Sequence, residues 1–215
     1  SMQAEIDLDG IDLNGAVEPA GYQISIEEGI CSTAYINGVP IKASLCHQPA
    51  VITARLENID SGMEMMELAF MRNGKWKTLR APRSNLFNKT SLVKYADSGL
   101  LVSSDNSEGM VRYFTDYETE NGGVIPFIRS VSRIGWIGKE FYPYVTEGEI
   151  VFDGDDGEEI LPALTAKGDF EVWLETAKVL RKSAVSRAML AGSFVSPMLS
   201  PLQNRIINIH FWYAS

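Results

Sequence analysis

Apolar and polar residues alternate over much of Gly21 to Arg83, the pattern of strands with one buried face. Tyr22–Ile26 alternates, and Val51–Leu56 does the same as Val-Ile-Thr-Ala-Arg-Leu. Met65–Met71 and Trp76–Leu79 flank Arg72-Asn73-Gly74-Lys75. Asn-Gly between two such runs predicts a hairpin, because both central turn positions need positive φ. The period then changes. Ser91–Asp97 is predicted as a short helix, with Thr90 as its N-cap and Gly99 as its stop. Met110, Val111, Phe114 and Tyr117 fall on one face of a longer helix, Ser107–Glu120, which Gly122-Gly123 ends. Leu100–Ser103 between them reads as a short strand. Ser132–Ile137 and Phe141–Val145 around Gly138-Lys139 predict a second hairpin, and Glu149–Phe152 a further strand. Asp169 is placed to cap a helix over Phe170–Leu180. Ala184–Phe194 is an apolar helix of small residues ahead of Pro197 and Pro201, and Arg205–Trp212 has the pattern of a buried strand.

These elements make an α+β chain: antiparallel, hairpin-rich lobes, a helical pair, and a helical C-terminal extension ending in a strand. Three parts are expected. Residues 1–20 echo Ile-Asp-Leu-Asp-Gly and Ile-Asp-Leu-Asn-Gly, and read as an acidic, turn-rich linker. Residues 21–165 form the β-rich domain. Residues 166–215 form the helical extension and final strand.

Composition narrows the class. A chain of 215 residues can bury roughly 70% of its unfolded surface without a disulfide or metal staple. Its 45% hydrophobic and 22% charged content excludes a disordered or collagen-like chain. No apolar run reaches the ~18 residues of a membrane span. The acidic N-terminus is not a signal peptide, so a cytoplasmic protein with no membrane partner is expected. The two cysteines, Cys31 and Cys46, make no disulfide framework. With His47 they offer three zinc ligands where a structural site needs four. Asp7, Asp9 and Asp12 lack the spacing and terminal Glu of a calcium loop. Asp153, Asp155 and Glu158 read as a solvated loop tip rather than a metal site. The residues carry no nucleophile elbow, no His-Glu-x-x-His pair and no phosphate loop. A non-enzyme with no cofactor of its own is the expectation.

Charge is unevenly placed. Met71 to Ala96 contains Arg72, Lys75, Lys77, Arg80, Arg83, Lys89 and Lys94 and no acid, so it carries +7 within a chain of net charge −9. Trp76, Phe87 and Tyr95 are interleaved with the cations. Cations beside aromatics suit phosphate contact with base stacking, and Arg72, Lys75, Trp76, Lys77, Arg80 and Arg83 are the candidate nucleic-acid-binding residues. Two other readings stay open. One is an edge strand guarded by lysine against edge-to-edge pairing. The other is a docking face for acidic groups of the same chain or a partner.

Four stretches resemble proteins of the domain of unknown function 927 family. They are Cys46-His47-Gln48-Pro49 with Val51–Asp60; Gly74–Thr78 with Ala81–Ser84; Ser130–Trp136; and Arg187 to Pro197 as Arg-x-x-x-Ala-x-Ser-Phe-x-Ser-Pro. The resemblance spans roughly residues 40 to 212 and implies an N-terminal region of helicase- or primase-associated ATPases of phages and plasmids. In such proteins a strand like Ile206–Trp212 leads into a phosphate-binding loop, whereas this chain ends at Tyr213-Ala214-Ser215. ATP and Mg²⁺ would then belong to a following ATPase domain. The implied role is a non-catalytic accessory domain that positions single-stranded or duplex DNA, that ATPase domain, or neighbouring subunits. A pure oligomerisation or protein-docking module is the alternative.

Overall fold

Asn73 and Gly74 have φ of 53° and 71° and close the predicted hairpin. The computed structural model that shows this describes residues 3–144, 150–154, 161–164, 167–203 and 205. The chain divides into two units, Ser1–Val131 and Ser132–Ser215. Neither predicted boundary, after residue 20 or after residue 165, falls at that division.

The first unit opens with β1 (Tyr22–Ser25), β2 (Gly29–Ile36) and β3 (Val39–Cys46), an antiparallel sheet in that order. A second Asn-Gly turn, Asn37-Gly38 with φ of 51° and 77°, joins β2 to β3. The next strands are β4 (Ala50–Asn58), β5 (Glu64–Arg72) and β6 (Lys75–Pro82). Three helices follow: α1 (Arg83–Leu86), α2 (Lys89–Leu92) and α3 (Ser107–Asn121). Then β7 (Phe127–Val131) returns to pair parallel with β4, so the unit's second sheet runs β7-β4-β5-β6. A parallel pairing needs a long crossover, and α3 lies within it.

The core sits between this sheet and α3. Met66, Leu68 and Phe70 alternate on one face of β5 and are buried, as are Met110, Tyr113, Phe114 and Tyr117 of α3. Each such side chain contributes about 1.5–3 kcal/mol by leaving water. The Tyr113 hydroxyl donates to the Ala50 carbonyl at 2.8 Å, while the buried Tyr117 hydroxyl has no hydrogen-bond partner among the described residues. Burial pushes both phenols above the ordinary value.

Three expectations are corrected within this unit. The first twenty residues are not a linker: Ile6, Leu8, Leu13 and Ala16 are buried in the same core. The buried Asn121 side chain holds that segment against α3, accepting from the Val17 amide at 2.7 Å and donating to its carbonyl at 2.9 Å. Leu100–Ser103 is not a strand, because side chains and local backbone turns rather than a neighbouring strand satisfy its backbone. The Leu101 amide donates to Gln48 Oε1 at 2.9 Å, and its carbonyl accepts from Cys46 Sγ and Asn106 Nδ2. The short helix begins earlier than predicted, because Asn88 rather than Thr90 caps it, its Oδ1 accepting from the Thr90 and Ser91 amides.

The second unit holds β8 (Gly135–Ile137) paired with β9 (Glu140–Tyr142), a hairpin shorter than predicted. β10 (Ile150–Phe152) follows, and the Phe152 ring stacks on Tyr142 at 6.4 Å. Asp169 caps α4 (Phe170–Leu180), as predicted, accepting from the Glu171 and Val172 amides. Ser183 caps α5 (Ala184–Met198), which runs through Pro197 rather than stopping at Phe194. Asp155, Glu158 and the strand proposed over residues 206–212 lie outside the described residues. Arg205 is in no strand. No helix among the described residues is long and apolar enough to cross a membrane.

Candidate nucleic-acid interface

The β5–β6 register places Arg72 opposite Lys75, Met71 opposite Trp76 and Phe70 opposite Lys77. Directly opposed residues share a face, so Lys75 and Lys77 lie on one side of the ribbon and Trp76 on the other. The Asn73-Gly74 turn thus gathers Arg72, Lys75 and Lys77 within one tip. Lys75 and Lys77 are exposed and Arg72 is half-buried, and none of the three has an ion pair among the described residues. β6 ends the strand order, so its lysines also stand where an unpaired edge needs protection.

The other half of the basic run is neutralised internally. Arg80 Nε lies 2.9 Å from Glu67 Oε2, and Glu67 also accepts from the Thr53 hydroxyl. Arg83 makes a two-pronged pair with Glu118 of α3, at 2.5 and 2.7 Å. Its guanidinium lies 4.5 Å from the Phe87 ring centre, and Glu64 is a further carboxylate at 3.8 Å. These bonds tie α1 and β5 to α3. Lys89 pairs with Glu108 at 3.1 Å. Trp76 is half-buried, and its indole donates to the Asp9 carbonyl at 2.8 Å. The structure therefore brings Arg72, Lys75 and Lys77 together as available cations. It assigns Arg80, Arg83 and Trp76 to contacts within the chain.

Sequence reasoning missed the residue that positions this tip. Gln48 is buried, and its Nε2 donates to the carbonyls of Met71 at 2.7 Å and Gly99 at 3.1 Å. Its Oε1 accepts from Leu101, so one amide clamps the end of β5 to the 99–101 loop. A polar residue inside the Cys-His-Gln-Pro stretch was the available signal.

The cysteine and histidine candidates diverge. Cys31 and Cys46 are buried free thiols, and burial pushes Cys46 above the ordinary thiol value. A thiol held protonated is a poor metal ligand or nucleophile. His47 is exposed, with Nδ1 3.4 Å from the Ser44 hydroxyl. Among the described residues no three His, Cys, Asp or Glu side chains cluster to hold a metal ion.

A family model described as Domain of unknown function (DUF927) matches residues 23–215. No curated protein matches the chain.

Proposed function

The chain belongs to the DUF927 family, and from that premise we propose that it is a non-catalytic accessory domain of a mobile-element replication ATPase. In this reading the β5–β6 tip contacts the phosphate backbone of DNA. The observation that carries it is the convergence of Arg72, Lys75 and Lys77, without ion pairs among the described residues, in a chain of net charge −9. Three cations on an exposed ribbon fit phosphates of any sequence, which suits positioning rather than base readout. ATP and Mg²⁺ would be handled by a following domain, and no step of catalysis is assigned to these residues.

Fluorescence anisotropy with labelled single-stranded and duplex DNA tests the reading. Three phosphate contacts predict a slope of log affinity against log salt of about −2 to −3. Reversal of Arg72, Lys75 and Lys77 to Glu should abolish binding at low salt. Equal binding by parent and triple variant would overturn the assignment. The alternative, protein docking without DNA, draws on a different surface: the exposed apolar residues of α4 and α5.

A further inference from the structure

The start of α3 has amides to spare. The first amides of any helix lack a partner inside it, and a side chain at the N-cap commonly accepts from them. Asn106 holds that position, but its side chain is engaged elsewhere. Its Oδ1 accepts from the Ser103 amide at 2.8 Å, and its Nδ2 donates to the Leu45 and Leu101 carbonyls, each at 3.1 Å. No side chain caps the helix. The Ser107 amide donates to the Ser103 carbonyl, and the Met110 amide to that of Asn106. The Glu108 and Gly109 amides between them have no acceptor among the described residues.

A second observation points to the same place. Ser107, the first residue of α3, is 3% exposed, yet its hydroxyl has no hydrogen-bond partner among the described residues. Buried hydroxyls normally have one. Among those residues the sealed side-chain atoms without partners are Arg55 Nε and Tyr117 Oη, so Ser107 Oγ is not sealed. It borders a cavity of about 350 Å³ lined by Lys89, Thr90, Val93, Ser104, Ser107 and Glu108. The Thr90 and Ser104 hydroxyls are likewise without partners among the described residues.

The charges fit an anion. Lys89 Nζ lies 3.1 Å from Glu108 Oε2, and Arg112 Nη2 lies 2.5 Å from Glu108 Oε1. Two cations share one carboxylate, so Arg112 still neutralises Glu108 when Lys89 turns to a ligand. Asp105, in the preceding loop, is exposed and outside the lining. The positive end of a 15-residue helix adds to the attraction. We propose that the cavity at the start of α3 binds a phosphate group, with Ser107 Oγ, the Glu108 and Gly109 amides and Lys89 Nζ as its donors. A phosphate group spreads its acceptor oxygens around a tetrahedron, which suits donors arriving from several directions better than a planar carboxylate does. The site shares no residue with the Arg72, Lys75 and Lys77 tip and does not depend on the DNA reading. A small molecule and a nucleic acid both supply such a group.

Amide NMR of the full chain tests the proposal. Inorganic phosphate is titrated from ~0.1 to ~50 mM, a span centred on millimolar affinity, against chloride at matched ionic strength. The Glu108 and Gly109 amides should shift saturably with phosphate and not with chloride. Ser107→Ala and Lys89→Gln should each weaken binding at least ~10-fold, since each removes a bond to a charged group. Unchanged amide positions elsewhere would show both variants folded. A nucleoside monophosphate and an oligonucleotide are then competed against the phosphate. Displacement by the nucleotide alone identifies a small-molecule ligand, and displacement by the oligonucleotide identifies a nucleic-acid backbone. Absence of a saturable shift at the two amides would overturn the proposal. So would binding indifferent to both substitutions, or displacement by neither competitor, the mark of an adventitious ion only.

Discussion

The first unit contains two hairpins made with the same turn and finished with opposite surfaces. Both use Asn-Gly with positive φ at each residue. The β5–β6 tip carries Arg72, Lys75 and Lys77, while the β2–β3 tip carries Tyr35, Ile36, Val39 and Ile41, all exposed. Their bases differ too. β5 is an interior strand over the α3 core, so only the end of its ribbon stands free. β1 pairs only with Gly29–Ser32, so the outer half of β2–β3 projects as a two-stranded ribbon. The turn fixes register, and what surrounds the ribbon decides how much of it packs. One turn motif therefore says nothing about the chemistry a hairpin presents.

The largest expected effect is at the base of β2–β3. Gly29 has φ of +75°, and a Cβ there would stand 2.2 Å from the Cys46 carbonyl oxygen. Gly29→Ala should cost on the order of 4 kcal/mol or more, read as a collapse of the chemical-denaturation midpoint. At the base of β5–β6, Gln48→Ala leaves two carbonyls and one amide without their partner. It should cost about 2–4 kcal/mol, and a loss under ~0.5 kcal/mol would show that water replaces the clamp.

Alkaline titration probes the core beneath the β4–β6 sheet. Tyr113 and Tyr117 have phenols raised in the folded state above the ordinary 10.0 by burial. The unfolded chain therefore loses these protons first. The stability they contribute is full below about pH 10 and is lost as pH rises towards the folded values. The fall should be roughly 1.4 kcal/mol per pH unit for each group. Melting temperature measured from pH 8 to 11.5 checks this.

Replacing each Asn-Gly with Ala-Ala forces positive φ on residues that avoid it, at about 1 kcal/mol per residue. The β5–β6 variant should show it fully in the midpoint. The β2–β3 variant should show less, because that ribbon's outer half packs against little. Smallest of all, reversing Arg72, Lys75 and Lys77 should leave stability within about 0.5 kcal/mol while removing DNA binding. Arg83→Glu should instead lower the melting temperature, since it sets a second carboxylate against that of Glu118.

Local signals carried much of the fold. The β5–β6 hairpin, α3 and the Asp169 cap of α4 depend on residues within a few positions of one another, and each was readable. The Asn37-Gly38 turn carried the same signal as Asn73-Gly74, but Val39–Cys46 does not alternate in polarity. Its outer part is exposed on both faces, so no buried face imposed a pattern. At the site, the acid-free run from Met71 to Ala96 was legible, and its division was not. Glu67 and Glu118 lie 13 and 35 residues from the arginines they neutralise.

By itself the sequence determined what short-range sterics and capping determine: turn positions, helix starts, strand alternation and the family. Only the tertiary structure decided which cations stay available, that Ile6, Leu8, Leu13 and Ala16 join the core, and that Gln48 clamps the charged hairpin. Those outcomes depend on which distant groups meet once water has been excluded between them. A pairing of that kind leaves no periodic trace along the chain.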